Sequence, residues 1–228
     1  DFHTQNVLTD TGVTRVVMTG CPALYSLDHI GKPLAPVAQV KRITVSLGVH
    51  FSRSRLLETQ AKELVRALRC AFNGAEVVVA FHHSVDQRYA AAYGKASYLY
   101  EAQLRFRDWL EDEGVGHADL SGSAEKLLEH YGTTDLHVGY RVHAHILMTS
   151  IRKPSLLLAE DGRGMALKDV IGGHIVDAFE DIDDGKTLKA ARKLGLKVEP
   201  YEVSPKLADD VVRLLERDAD AGWPRAHI

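Results

Sequence analysis

The chain has 228 residues, 45% of them apolar, with 28 basic and 31 acidic side chains and a formal net charge of -3. That is enough for one large domain or two small ones with a buried core, and scattered basic residues on a slightly acidic chain argue against nucleic acid or anionic lipid as a partner. Cys21 and Cys70 are too few for a disulfide framework and lack metal-ligand spacing, which predicts buried thiols in a reducing compartment; without a leader pattern or an apolar run near 18 residues, a cytoplasmic protein with no membrane span is expected.

Residues 42–49, Arg-Ile-Thr-Val-Ser-Leu-Gly-Val, read as the first buried strand. Ser54 can cap the helix that follows, with Leu57, Ala61, Leu64, Val65 and Leu68 on one face. Glu-Val-Val-Val-Ala-Phe-His-His at 76–83 is the next strand, and 97–112 returns as a helix carrying Tyr98, Leu99, Ala102, Phe106, Trp109 and Leu110. A short segment from His117 to Leu120 precedes a helix after Ser123. The series closes with a strand at 135–140, a helix at 141–152 and a strand at 155–159. Strands alternating with helices predict an α/β fold, a Rossmann-like, mostly parallel sheet with helices on both faces. Beyond it come an acidic stretch at 177–186, a basic helix-like run at 186–197, and a helix opened by Ser204-Pro205 with Pro205 at its first position and Leu207, Val211, Leu214 and Leu215 buried. That last helix is expected to pack back across the sheet. There is no internal repeat and no low-complexity segment beyond a brief alanine run at 90–92.

The residues that carry chemistry concentrate at 134–145, Thr-Asp-Leu-His-Val-Gly-Tyr-Arg-Val-His-Ala-His, where an apolar strand passes through a glycine turn into a helix start. Ligands of open α/β sheets bind at the carboxyl ends of strands, and the first helical turn supplies free N–H groups and partial positive charge. Arg141 adds a fork of donors suited to carboxylate or phosphate, and His143 can move a proton near neutral pH. Two helical positions two apart diverge by about 200°, so the pair converges on one ligand only if Arg141 stands in the turn before the helix proper, which Gly139 allows. A surface ion pair and a packed helix-start histidine would explain the same two residues.

The block from Asp135 to Leu158, with Asp135, Gly139, Arg141, Val142, His143, Ala144 and Pro154 in pattern, resembles the signature of the polysaccharide pyruvyl transferase family. A weaker match, Gly-Cys-Pro-Ala-Leu at 20–24, resembles the segment that opens that family's C-terminal half. The resemblance extends loosely over about three quarters of the chain. It implies one half of a glycosyltransferase-B-like fold, as a single domain over 1–228 with its core at about 1–172 and a C-terminal extension over about 173–228, the family's N-terminal domain being absent. It also implies phosphoenolpyruvate as donor substrate, a sugar or glycan acceptor, pyruvyl ketal formation on an exported polysaccharide, and no separate cofactor. Arg141 would hold the donor's anionic groups with Gly139 shaping the turn, and His143 would act as acid and base. Many relatives carry an arginine at the end of the first strand where this chain has Gly48-Val49-His50, so Arg53 or Arg55 is expected to take over that contact.

Loops after the other strands should reach the same edge, which nominates Ser52 beside Arg53 and Arg55, His82, His83 and Asp86 after the second strand, and Glu160 or Asp161 after 155–159 as acceptor ligand or general base. His83 is preferred over His82. The alternatives are a polar loop of no particular role and an ordinary acidic turn closed by Gly162 and Gly164. His137 is expected to be buried with one nitrogen bonded to backbone, and His145 to be packed. No dinucleotide or P-loop fingerprint occurs, and His143-x-His145 alone is a weak metal pattern. A nucleotide-sugar glycosyltransferase is the rival enzyme, and a non-catalytic anion- or partner-binding domain the rival of another class. An N-terminal partner domain or a homo-oligomer would complete either.

Overall fold

Short apolar runs bounded by turn residues line up side by side, and the amphipathic segments between them coil back over the two faces so formed. The computed structural model describes residues 2–34, 39–86, 88, 97–171, 174–181, 193–194 and 201–221. Its main sheet contains β1 (Arg42–Ser46), β2 (Glu76–Phe81), β3 (Gly116–Asp119), β4 (Leu136–Gly139), β5 (Ser155–Ala159) and β6 (His174–Asp177), in the order β3-β2-β1-β4-β5-β6. Every neighbouring pair is parallel. This is the doubly wound order of a Rossmann-like sheet, as the alternation of strands and helices predicts. The chain steps outward through β2 and β3, then resumes on the other side of β1, and the reversal opens a crevice beyond the carboxyl ends of β1 and β4.

The two faces differ in chemistry. On one, Ile43, Val45, Val77, Val79, Phe81, Leu136, Val138, Leu156 and Leu158 pack against α2 (Arg55–Ala71), α3 (Ser97–Asp112) and α7 (Leu207–Asp220). The other is covered by α4 (Ala124–Gly132), α5 (Val142–Ser150) and α6 (Gly162–Ile171), and its apolar contacts form two smaller clusters, around Tyr131 and Met148 and around Leu24, Ile146, Leu157 and Leu167. Buried among them are Thr44, Ser46, His130, Thr134, His137 and His145. Leu24 comes from a single 3-10 turn, Pro22–Leu24, so the Gly-Cys-Pro-Ala-Leu segment docks beside α5 and α6. An N-terminal helix, α1 (Phe2–Asp10), precedes it.

Local signals explain most boundaries. Ser54 accepts from Leu57 N at 3.2 Å and Ser123 from Lys126 N at 3.3 Å, fixing the starts of α2 and α4 as side-chain caps do. β1 stops at Ser46 rather than 49, because the chain turns at Leu47-Gly48 into a 3-10 turn, His50–Ser52; β2 ends at Phe81 before a bend at His82-His83. Pro205 lies outside the last helix: Leu207 N donates to Ser204 O at 3.1 Å, a turn with proline at its second position, and α7 begins at Leu207. Leu207, Val211 and Leu215 are its buried stripe, and they close the apolar face next to α2. Cys70 is exposed and Cys21 half-buried, against the expectation of two buried thiols. α6 and β6 were not anticipated. Part of the acidic stretch, β7 (Glu180–Asp181), pairs antiparallel with β8 (Tyr201–Glu202). The rest of that stretch, nearly all of the basic run and the alanine run at 90–92 lie outside the described residues.

Candidate functional site

The crevice between β1 and β4 is shaped first by a missing side chain. A Cβ on Gly139 would lie 2.4 Å from Ser46 O and 2.6 Å from Ser46 N, so the strand ends approach this closely only with glycine there. Tyr140 N then donates to Ser46 O at 2.9 Å and Arg141 N to Ser46 Oγ at 3.1 Å. Arg141 is the residue before α5, with extended backbone at φ -92° and ψ 109°. It therefore stands in the turn, the placement that lets it share a ligand with His143. Its Nε donates to Leu47 O at 2.8 Å, which anchors the guanidinium while, among the described residues, neither Nη donates a hydrogen bond and no carboxylate forms an ion pair with it. Burial lowers its pKa, opposed by the fields of Glu160 and Tyr131; an arginine remains charged through such a shift.

His143 occupies the second position of α5 and is exposed. Close by, His82 bonds through Nε2 to Tyr131 Oη at 2.7 Å. Burial, helped by Arg141, His83 and His143, pushes His82 down to about 3, so it is a neutral support. His83 is lowered by burial and by Arg141, and raised by Glu160. Asp86 is taken up by an exposed ion pair with Arg88 at 2.5 Å.

The two acids after β5 face different partners. Glu160 reaches back to the loop after β1, where its Oε1 accepts from Val49 N at 3.0 Å and its Oε2 from His50 N at 3.3 Å, and Oε2 lies 3.2 Å from His50 Nδ1. A Cβ on Gly48 would come within 2.0 Å of that carboxylate. Where the family resemblance leads one to look for arginine, a carboxylate fills the space that glycine leaves. Asp161 instead accepts from Arg163 N and Gly164 N at 2.9 and 3.3 Å and pairs with the Arg163 guanidinium at 2.5 Å. Burial raises its pKa, but these bonds outweigh it and hold the carboxyl below its usual range. Gly162 and Gly164 belong to α6, and Gly164 lets it approach Ala159, whose Cβ would be 2.9 Å from an added one.

Gly139, Arg141, His143, His83 and Glu160 thus meet at the crevice. Arg53 is on its rim, exposed, held by the hydroxyls of Tyr98 and Tyr201. Ser52 Oγ donates to Val49 O at 2.6 Å, and Arg55 opens α2 and is exposed. Among the described residues no hydrogen bond or ion pair links Arg53 or Arg55 to Arg141 or Glu160. Asp135, the first residue of the signature, works at the opposite end of the sheet, where its Oδ2 accepts from Lys41 N and Arg42 N at 2.9 Å and fastens β4 to β1.

Beneath Arg141 runs a buried relay. Ser46 Oγ is 2.8 Å from His137 Nε2, His137 Nδ1 is 2.8 Å from Ser155 Oγ, and Ser155 Oγ is 2.7 Å from His145 Nδ1. Both nitrogens of His137 therefore meet serine hydroxyls, not backbone as expected, while His145 is packed as expected. Arg141 N already donates to Ser46 Oγ, so one assignment employs every proton: Ser46 donates to His137 Nε2, His137 Nδ1 to Ser155, and Ser155 to His145 Nδ1. Sequence reasoning nominated neither Ser46 nor His50. The signal for the second is the Gly48-Val49-His50 segment just after a buried strand, with an acid at the end of another.

Among the described residues, no group of three or more His, Cys, Asp or Glu is placed to hold a metal ion, and no helix is long and apolar enough to cross a membrane. The fold defines an α/β domain whose crevice, at a topological switch point, is lined by Arg141 and the histidines around it. The family model for polysaccharide pyruvyl transferase matches residues 1–162, and the chain belongs to that family of transferases. Among curated proteins, none matches the chain.

Proposed function

We propose that the chain transfers the pyruvyl group of phosphoenolpyruvate to two hydroxyls of a sugar, as a ketal, with phosphate as leaving group. The observation that carries this reading is the position of Arg141: backbone tied to Ser46, Nε tied to Leu47 O, and standing directly before α5, whose opening N–H groups it does not cap. Two anionic groups of one donor, a carboxylate and a phosphate, suit that pair of cationic features. His143, exposed in the first turn, is the acid that protonates the enol carbon, and His83 lines the pocket. The reaction as written needs no cofactor beyond its donor. Phosphoenolpyruvate is a metabolite of the cytoplasm, and we place the activity there, acting on a precursor of a surface polysaccharide.

Calorimetric titration with phosphoenolpyruvate, alongside a nucleoside diphosphate, tests this. Removing a charge-assisted contact costs about 1.5 to 3 kcal/mol, so Arg141→Ala should weaken phosphoenolpyruvate roughly 10- to 150-fold. Saturation by the diphosphate alone would replace this reading with a nucleotide-sugar glycosyltransferase. Silence toward both would favour a non-catalytic domain.

A further inference from the structure

Pyruvyl ketal formation needs a second proton-handling group, because two hydroxyls must lose protons while the enol carbon gains one. The pairing of His50 with Glu160 fits that need. The carboxylate receives the N–H groups of Val49 and His50, so it is held against the loop whatever the ring does. It approaches this closely only because residue 48 has no side chain. His50 Nδ1 is buried with no aligned hydrogen-bond partner, and Glu160 Oε2 stands 3.2 Å from it. The ring leans on Phe179 at 5.4 Å and meets Tyr201 edge-on at 6.0 Å, which limits its rotation. A carboxylate beside Nδ1 favours a proton there and leaves Nε2 as a lone-pair base, the arrangement by which a buried acid orients a catalytic histidine. Nε2 has no hydrogen-bond partner among the described residues, and the side chain keeps 18% of its surface exposed at the crevice after β1.

We infer that His50 is the general base toward the acceptor hydroxyls and that Glu160 is its positioning residue. This rests on the pyruvyl-transfer reading and completes its proton balance. As the first sugar oxygen bonds C2 of phosphoenolpyruvate, its proton passes to His50 Nε2, and the C2–C3 double-bond pair takes a proton from protonated His143 to form the methyl group. The bond from C2 to the phosphate oxygen then breaks. Phosphate departs with the bonding pair and takes the proton from His50. The second hydroxyl bonds C2 and returns a proton to His50, and one proton passes through solvent from His50 to His143 to restore the start. The groups facing the His50 ring are Glu160 from the end of β5 and Tyr201 from β8, with Arg141 beyond Glu160.

The test measures phosphate release from phosphoenolpyruvate with a panel of p-nitrophenyl hexosides as acceptors, together with phosphoenolpyruvate affinity and thermal unfolding, for the native chain, His50→Asn and Glu160→Gln. General-base catalysis contributes about 10²- to 10⁴-fold, so His50→Asn should release phosphate at least about 100-fold more slowly while binding phosphoenolpyruvate within about twofold of native. Its rate should also lose the fall toward acid pH that protonation of the base imposes. Glu160→Gln should slow phosphate release at saturating donor while leaving phosphoenolpyruvate affinity within about twofold of native; a merely structural role would lower affinity in step with the rate. A native rate and pH profile in His50→Asn, or donor affinity lost in parallel with rate, would overturn the assignment and leave pyruvyl transfer standing. A native chain that neither binds phosphoenolpyruvate nor releases phosphate overturns both.

Discussion

Two glycines and one arginine carry most of the site's geometry. Gly48→Ala would drive a methyl into the Glu160 carboxylate, which stands 2.0 Å from where that carbon must go. The carboxylate must leave the N–H groups of Val49 and His50, and stranding such groups costs about 1 to 3 kcal/mol. Urea unfolding of Gly48→Ala should show a loss of that size, and an unchanged midpoint would mean that Glu160 is not held by the loop. Asp135 offers a comparison away from the chemistry. Asp135→Ala removes the acceptor of two strand-start N–H groups and should lower stability while leaving phosphoenolpyruvate affinity within about twofold of native. The placement of Arg141 was legible in the sequence because it depends on neighbours within a few residues: a glycine before it and a helix after it. His50 was not, since its partner Glu160 is 110 residues further along and meets it only once β5 has been placed beside β4.

The strands show a second limit on reading by pattern. In β1, Ile43 and Val45 alternate with Thr44 and Ser46, an alternation that in an antiparallel sheet would mean one wet face. Here the sheet is parallel and covered on both sides, so Thr44 and Ser46 are fully buried and need partners. Thr44 finds His130 and Thr134, and Ser46 finds strand-borne His137, which Ser155 links to helix-borne His145, so α5 is docked partly by hydrogen bonds where α2, on the opposite face, is docked by an apolar stripe. Ser155→Ala should cost about 1 to 3 kcal/mol for each histidine nitrogen it strands. Hydrogen exchange should quicken first in α5; uniform quickening across the molecule would deny the relay a role in seating that helix. The helices whose boundaries were legible have local caps, as at Ser54 and Ser123. Pro205 misled because a proline serves a turn as readily as a helix start, and only the Leu207 N to Ser204 O bond distinguishes them.

For the whole molecule, the buried histidines set a limit on acid tolerance. Burial, the leading cause in each case, holds His130 and His145 at about 4, His82 at about 3, and His137 well below its ordinary value. Each is neutral in the fold, while in the unfolded chain each protonates below about pH 6.5. The unfolded state therefore binds more protons as pH falls, and the stability present above pH 6.5 is lost progressively toward pH 4. The slope is about 1.4 kcal/mol per pH unit for each histidine. With a typical total of about 5 to 15 kcal/mol, the fold should be lost before pH 4. Denaturant titrations at half-unit steps from pH 7.5 to 4 would show it, and a flat stability across that range would contradict the burial. The polar relay has one further consequence, for descent. Ser155 serves two histidines with a single hydroxyl, and Ser46 joins one of them to the backbone of Arg141. An apolar residue at any one of positions 46, 137, 145 and 155 strands a buried partner at the next, so these four should have been inherited together and replaced together, changing across relatives in jumps and not in single steps.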